Sequence, residues 1–238
     1  MDTSFLLNNL TLLLQIVGVF VILIVLLRLL YIYKSQQPRI RTLQENPVLL
    51  VDDTSIKISA EKVGKSFDGT EYTLSFWIYD RGNTENANWK SDFKKPKGVI
   101  SHAFSPNIFY DASKGNMLFR VGYLDKDDIL QYEEVYLSTN KQHWNQYIIT
   151  GNDKQVDFYK NGSLEKSTIL KYQPWFANKS MFIGEKGNQS LLTIALVNWG
   201  SFWVDSRGAR NIYSKEKGNS IVNTNPNTYV EYLNKRFS

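Results

Sequence analysis

The side chains able to do covalent or metal chemistry are few and poorly grouped in this 238-residue chain, which has two histidines and no cysteine. Without a thiol there is no thiolate nucleophile and no thiolate zinc site. His102 and His143 belong to different predicted strand regions, and no HExxH-like partner accompanies either, so both read as packing or hydrogen-bonding residues. Ser101-His102 is a bare adjacency, because a catalytic triad also needs an orienting carboxylate and oxyanion donors. No G-x-x-x-x-G-K-[ST] phosphate loop occurs. Asp125, Asp127 and Asp128 cluster in LDKDD. A hard cation such as calcium would want a third oxygen ligand that the sequence does not identify, and a solvated hairpin tip accounts for the three acids. The expected catalytic residues, metal ligands and cofactors are therefore none.

Binding is better supplied than catalysis. Six tryptophans and fourteen tyrosines give apolar bodies with a polar handle, suited to sugar stacking or to a protein interface. Trp89 lies in the polar insertion NTENANWKSDFKKPKG, and Trp175 in YQPWFANKS. Those two loops, with Lys94, Lys95 and Lys97, are the expected partner surface. Trp77 and Trp144 are expected in the core.

The elements that must carry these loops are strands. YTLSFWIY, residues 72–79, alternates Tyr72, Leu74, Phe76 and Ile78 with Thr73, Ser75, Trp77 and Tyr79. Large residues on both sides predict a central strand, or one whose outer face is covered. Short apolar runs follow at 98–103, 117–123, 134–137, 145–150, 155–160, 163–170, 180–184 and 191–199, after candidates at 48–51 and 55–58. Strands this short and numerous predict an all-β sandwich. Asn161-Gly162 between DFYK and SLEKST suits a two-residue turn with positive φ at both positions, and 151–154 joins the preceding strand pair. Residues 144–170 should form a three-stranded meander.

Ahead of the sandwich, residues 10–27 read LTLLLQIVGVFVILIVLL, without a charge. Such a helix, about 27 Å long, approaches the roughly 30 Å hydrocarbon core of a bilayer and predicts a transmembrane α-helix. Asp2 precedes it and Arg28, Lys34, Arg39 and Arg41 follow, the reverse of a signal peptide, so the anchor is expected uncleaved with the large domain on the cytoplasmic side. The basic flank would meet anionic headgroups of the lipid bilayer. The expected organisation is an anchor over 1–34, a stem over 35–47 and a β-sandwich with its tail over 48–238. A formal net charge of +5 is too small and scattered for a nucleic-acid partner.

Taken in order, YTLSFWIY, the 117–121 strand and HWNQYIITGNDKQVDFYKNGSLEKS resemble the laminin-G-like, concanavalin-A-like jelly-roll domains. Trp144 and the Tyr159-Lys160-Asn161-Gly162 turn fall on that family's strand-opening Trp and hairpin. Phe182-Ile183-Gly184 matches the step after the meander, and 202–218 resembles the closing turn-and-helix segment. The resemblance covers about 68–218. It implies a jelly-roll fold and, through glucanase relatives, a test for two carboxylates about 5 Å apart. The E-x-D-x-x-E strand of those relatives is missing, and Glu133 and Glu134 are adjacent, facing opposite ways. The chain reads as a non-enzyme.

With an anchor attached, the architecture also resembles proteins of large DNA viruses of algae and protists, whose particles enclose an internal membrane. That resemblance implies a minor capsid or virion membrane protein linking lipid to capsid or other lattice proteins. The competing expectation is a carbohydrate-binding, lectin-like module on a membrane surface with a glycan partner. Binding lost on Trp89→Ala or Trp175→Ala would favour it.

Overall fold

A computed structural model describes residues 16–29, 40–50, 55–63, 71–81, 95–103, 105–175, 179–185 and 192–223. They fall in two compact units, Met1–Arg39 and Ile40–Ser238. In the first unit the described residues 16–29 are helical, α1, and their apolar side chains are exposed. No helix among the described residues is long and apolar enough to cross a membrane. The expected single-pass anchor, its lipid-bilayer partner and its cytoplasmic-side topology are corrected accordingly. The remainder of that apolar run, Lys34 and Arg39 lie outside the described residues.

The second unit is a sandwich of two antiparallel sheets. One sheet has the order β1 (Arg41–Gln44), β13 (Leu192–Gly200), β4 (Glu71–Asp80), β9 (Trp144–Asn152), β10 (Gln155–Lys160), β11 (Ser163–Ile169), with β2 (Val48–Leu49) also paired to β13. The other runs β3 (Ile56–Ile58), β12 (Met181–Ile183), β5 (Lys97–His102), β6 (Asn107–Asp111), β7 (Asn116–Leu124), β8 (Leu130–Ser138). Short helix α2 (Ala60–Val63) follows β3. Arg41, expected in a stem, pairs with Trp199 across β1 and β13, so the sandwich takes in residues ahead of 48. Thr42 and Leu43 supply the β-compatible pair that an Arg- and Gln-rich context obscured.

Period-two alternation assigns the core. Tyr72, Leu74, Phe76 and Ile78 of β4 meet Phe119, Val121, Val135 and Leu137 of β7 and β8 in one buried cluster between the sheets. The opposite side of β4 is equally dry, since nine of its ten residues are buried. Helix α3 (Ser206–Lys217) accounts for this by lying on that side. Asp205 caps it by accepting from the Gly208 amide at 2.7 Å, and Ala209, Ile212, Tyr213 and Glu216 follow at helical spacing. Trp77, expected in the core, joins Ala195, Leu196 and Val222 in a second cluster, with half-buried Trp144 and Tyr213 against it.

The meander over 144–170 forms as expected, and its turn explains its glycine. Asn161 and Gly162 have φ of 50° and 77°. A Cβ on Gly162 would stand 3.0 Å from the Tyr213 Cβ, so α3 packs over the hairpin only because the side chain is absent.

Candidate binding groove

Where β6 ends, β7 continues beyond its neighbour. Residues 116–120 of β7 pair with β6, but Gly122 and Tyr123 do not. The connection after β11 fills that position: Pro174 bridges to Tyr123, and the Trp175 amide donates to the Gly122 carbonyl at 2.9 Å. In an antiparallel ladder this register sets Pro174 inward, where it is buried, and Trp175 outward. Trp175 is thus an indole held by backbone pairing yet 36% exposed.

Around it opens a groove of about 480 Å³ lined by Leu124, Asp153, Lys154, Tyr172, Gln173, Pro174 and Trp175. Each wall is fixed by a local bond. The β9–β10 turn, with Asp153 at φ 53°, supplies a carboxylate that accepts from the Gln173 Nε2 at 2.5 Å. The Leu170 amide donates to the Lys154 carbonyl at 2.8 Å, tying the far end of β11 to the same turn. Tyr172 leans on Tyr123 with ring centroids 6.2 Å apart, and the Lys171 ammonium lies 5.8 Å from the Tyr172 ring. The result is an aromatic platform beside an acceptor, an amide and a cation.

Of the residues expected to form a partner surface, the structure places Trp175 here and Lys95 and Lys97 elsewhere. Lys95 is exposed and Lys97 opens β5 opposite Tyr110, which itself pairs with Met117. Five residues along β7 separate Met117 from Gly122, about 17 Å, so neither lysine reaches this groove. Trp89 and Lys94 lie outside the described residues. Asp153, Lys154, Tyr172 and Gln173 were not expected. Their signal was available in the 151–154 turn and in the YQPW run, but nothing in the sequence joins the two.

The acidic and histidine candidates resolve into structural roles. Asp125 accepts from the amides of Asp127 and Ile129 at 2.9 and 3.0 Å and from the Gln131 side chain at 3.1 Å. The Ile129 amide leads in holding its carboxyl below the usual range, as expected of a turn-forming aspartate. No group of three or more metal-ligating side chains occurs among the described residues. Glu134 pairs with Arg120, whereas Glu133 accepts from Thr168 at 3.4 Å, so the two acids do face apart. His102 is buried, its Nδ1 3.0 Å from the Ser105 carbonyl and its Nε2 3.2 Å from that of Lys179. Burial lowers its pKa below the ordinary imidazole value. His143 sits at the surface with its Nδ1 2.9 Å from the Lys141 carbonyl.

Sequence reasoning also missed Glu216. This carboxylate accepts from Trp77 Nε1 and Gln146 Nε2 at 2.7 Å each, from Asn198 Nδ2 at 2.8 Å and from Ser75 Oγ at 3.2 Å. Burial raises its pKa, and the four hydrogen bonds oppose that rise. A raised carboxyl is a usual mark of a general acid. Here its partners are four neutral side chains that occupy both oxygens, and the two-carboxylate arrangement of a glycosidase is not formed.

Comparison with known proteins agrees with this geometry. A family model described as the concanavalin A-like lectin/glucanases superfamily matches residues 52–195. No curated protein matches the chain. Among solved structures, the binding domain of botulinum neurotoxin serotype D is similar at TM-score 0.57 and 15% identity, over 76% of this chain and 45% of that one. The receptor-binding domain of botulinum neurotoxin type G is similar at TM-score 0.55 and 11% identity, over 75% and 46%. The chain spans less than half the length of these toxin domains. The likeness to these structures is one of fold. The matches are to a lectin and glucanase superfamily and to toxin binding domains, so the expected kinship with viral capsid or virion membrane proteins, and the lattice-linking role drawn from it, are corrected too.

Proposed function

The chain belongs to the concanavalin A-like lectin/glucanases superfamily, and from that premise we propose that it is a lectin-like module binding a carbohydrate in the Trp175 groove. The observation that supports this reading is Trp175 itself. A large aromatic left 36% exposed on a paired backbone gives a rigid, low-entropy platform for the C–H face of a sugar ring. Asp153, Gln173 and Lys154 supply acceptors and donors along one wall for hydroxyl groups, the usual division of labour in a small-molecule site. The volume of about 480 Å³ suits one or two sugar rings.

The test is a broad glycan array probed with the full chain. Selective binding to a subset of glycans, reproduced in solution, is the expected result. An array with no selective signal, with or without calcium, would contradict the reading.

A further inference from the structure

A second cavity lies at the opposite end of β9. Tyr79 pairs with Trp144 there, while Glu71 pairs with Asn152 beside the first groove, eight residues or about 27 Å away. The second cavity has a volume of about 370 Å³, and Trp77, Tyr79, Trp144 and Tyr213 wall it, with His143 and Lys217 on its rim. The rings brace one another: Tyr79 meets Trp144 edge-on at 5.6 Å, and Trp77 stacks on Tyr213 at 5.7 Å. The Lys217 ammonium is 5.5 Å from the Tyr213 ring.

The charge around this cavity is one-sided. No carboxylate is among the described residues that line it, and of the cations Lys217 lines it directly. The acid behind it, Glu216, is fully engaged by four donors, Trp77 among them. Arg81 is not one of the lining residues, but alternation along β4 puts it, one residue past the strand's end, on the same face as Trp77 and Tyr79, which are. Arg81 Nε and Nη2 are buried with no hydrogen-bond partner among the described residues. That is an unusual state for a guanidinium, whose planar fork fits a carboxylate and whose burial unpaired is costly. Burial lowers its pKa, and the Tyr79 hydroxyl is close enough to interact with it.

We propose that this cavity is a second ligand site for a sugar bearing a carboxylate. The ring rests on Trp144 and Tyr79, and the carboxylate is drawn towards Arg81 and Lys217. The choice of a sugar rests on the lectin-like reading above, whereas the requirement for a carboxylate rests on the local charge.

Glucuronic acid and glucose make a matched pair of probes, since they differ only at the carboxylate. Titrated against the full chain, glucuronic acid should bind and glucose should bind at least roughly tenfold more weakly. Arg81→Gln should weaken glucuronic acid about tenfold or more, Lys217→Gln by a smaller factor, and Trp175→Ala should leave it unchanged. Lys217→Gln serves as the independent check if Arg81→Gln fails to fold, because Lys217 is on the exposed rim. Equal binding of the two probes, or indifference of glucuronic acid to both cation variants, would overturn the proposal. Glucuronic acid lost on Trp175→Ala alone would also overturn it while leaving the lectin-like reading in place. The two readings fail separately, because the array signal depends on Trp175 and the glucuronic acid signal on Arg81.

Discussion

The two outer faces of the sandwich handle polar groups in opposite ways. On the sheet that carries β4 and β9, α3 covers much of the face, and one carboxylate, Glu216, collects the hydrogen bonds of Ser75, Trp77, Gln146 and Asn198. On the sheet that carries β7 and β8, the face is open. There Arg120 lies 5.0 and 5.3 Å from the rings of Phe109 and Tyr132 and bonds Glu134 through its Nε at 2.8 Å. Both arrangements satisfy charged groups with neighbours on adjacent strands. The first is the more buried, with all four donors withdrawn from water, and so it should weigh more in stability.

Deleting the Glu216 carboxylate gives the largest expected effect. Glu216→Ala leaves four buried donors without their acceptor and should cost about 3–5 kcal/mol in urea unfolding. A loss below about 1 kcal/mol would mean that apolar contacts of Ala209, Ile212 and Tyr213 alone hold α3. Proton uptake sharpens the same contrast. Because burial raises the Glu216 pKa, its stabilising share is fully present below the ordinary carboxylate value and is lost as pH rises through the raised one. The stability of the wild type relative to Glu216→Gln should therefore improve as pH falls from 7 towards 5. Asp111 and Asp125, whose pKa values are lowered, act in the other direction but cancel in this difference. A flat or inverted difference would show that hydrogen bonding outweighs burial at Glu216. Smallest of all, Arg120→Ala on the open face should change stability by less than about 1 kcal/mol, read from the same unfolding curves. A larger loss would show that the open face is energetically as closed as the covered one.

The same contrast marks what a sequence can disclose. The meander over 144–170 was legible because strand alternation and an Asn-Gly turn are local signals, and β4 was legible as a covered strand because both of its sides are bulky. What covered it was not, since Glu216 reaches Trp77 across 139 positions. Arg41–Gln44 was hidden for a similar reason: a four-residue edge strand draws its order from β13, some 160 positions away, rather than from its own composition. The groove was half legible. An isolated Trp175 in a polar loop marked one wall, but the Gly122 carbonyl and the Asp153 turn that complete it come from other strands. The apolar run before the sandwich misled in the other direction: its hydropathy predicted a membrane span, and no helix among the described residues is long and apolar enough to be one.

The central claim is that the Trp175 groove holds a sugar. Its most direct test is a calorimetric titration of the strongest array glycan into the wild-type chain and into Trp175→Ala, with both proteins matched in unfolding midpoint. Loss of one stacking platform should weaken binding at least roughly tenfold. Equal affinity in the two proteins would place the ligand elsewhere and contradict the account.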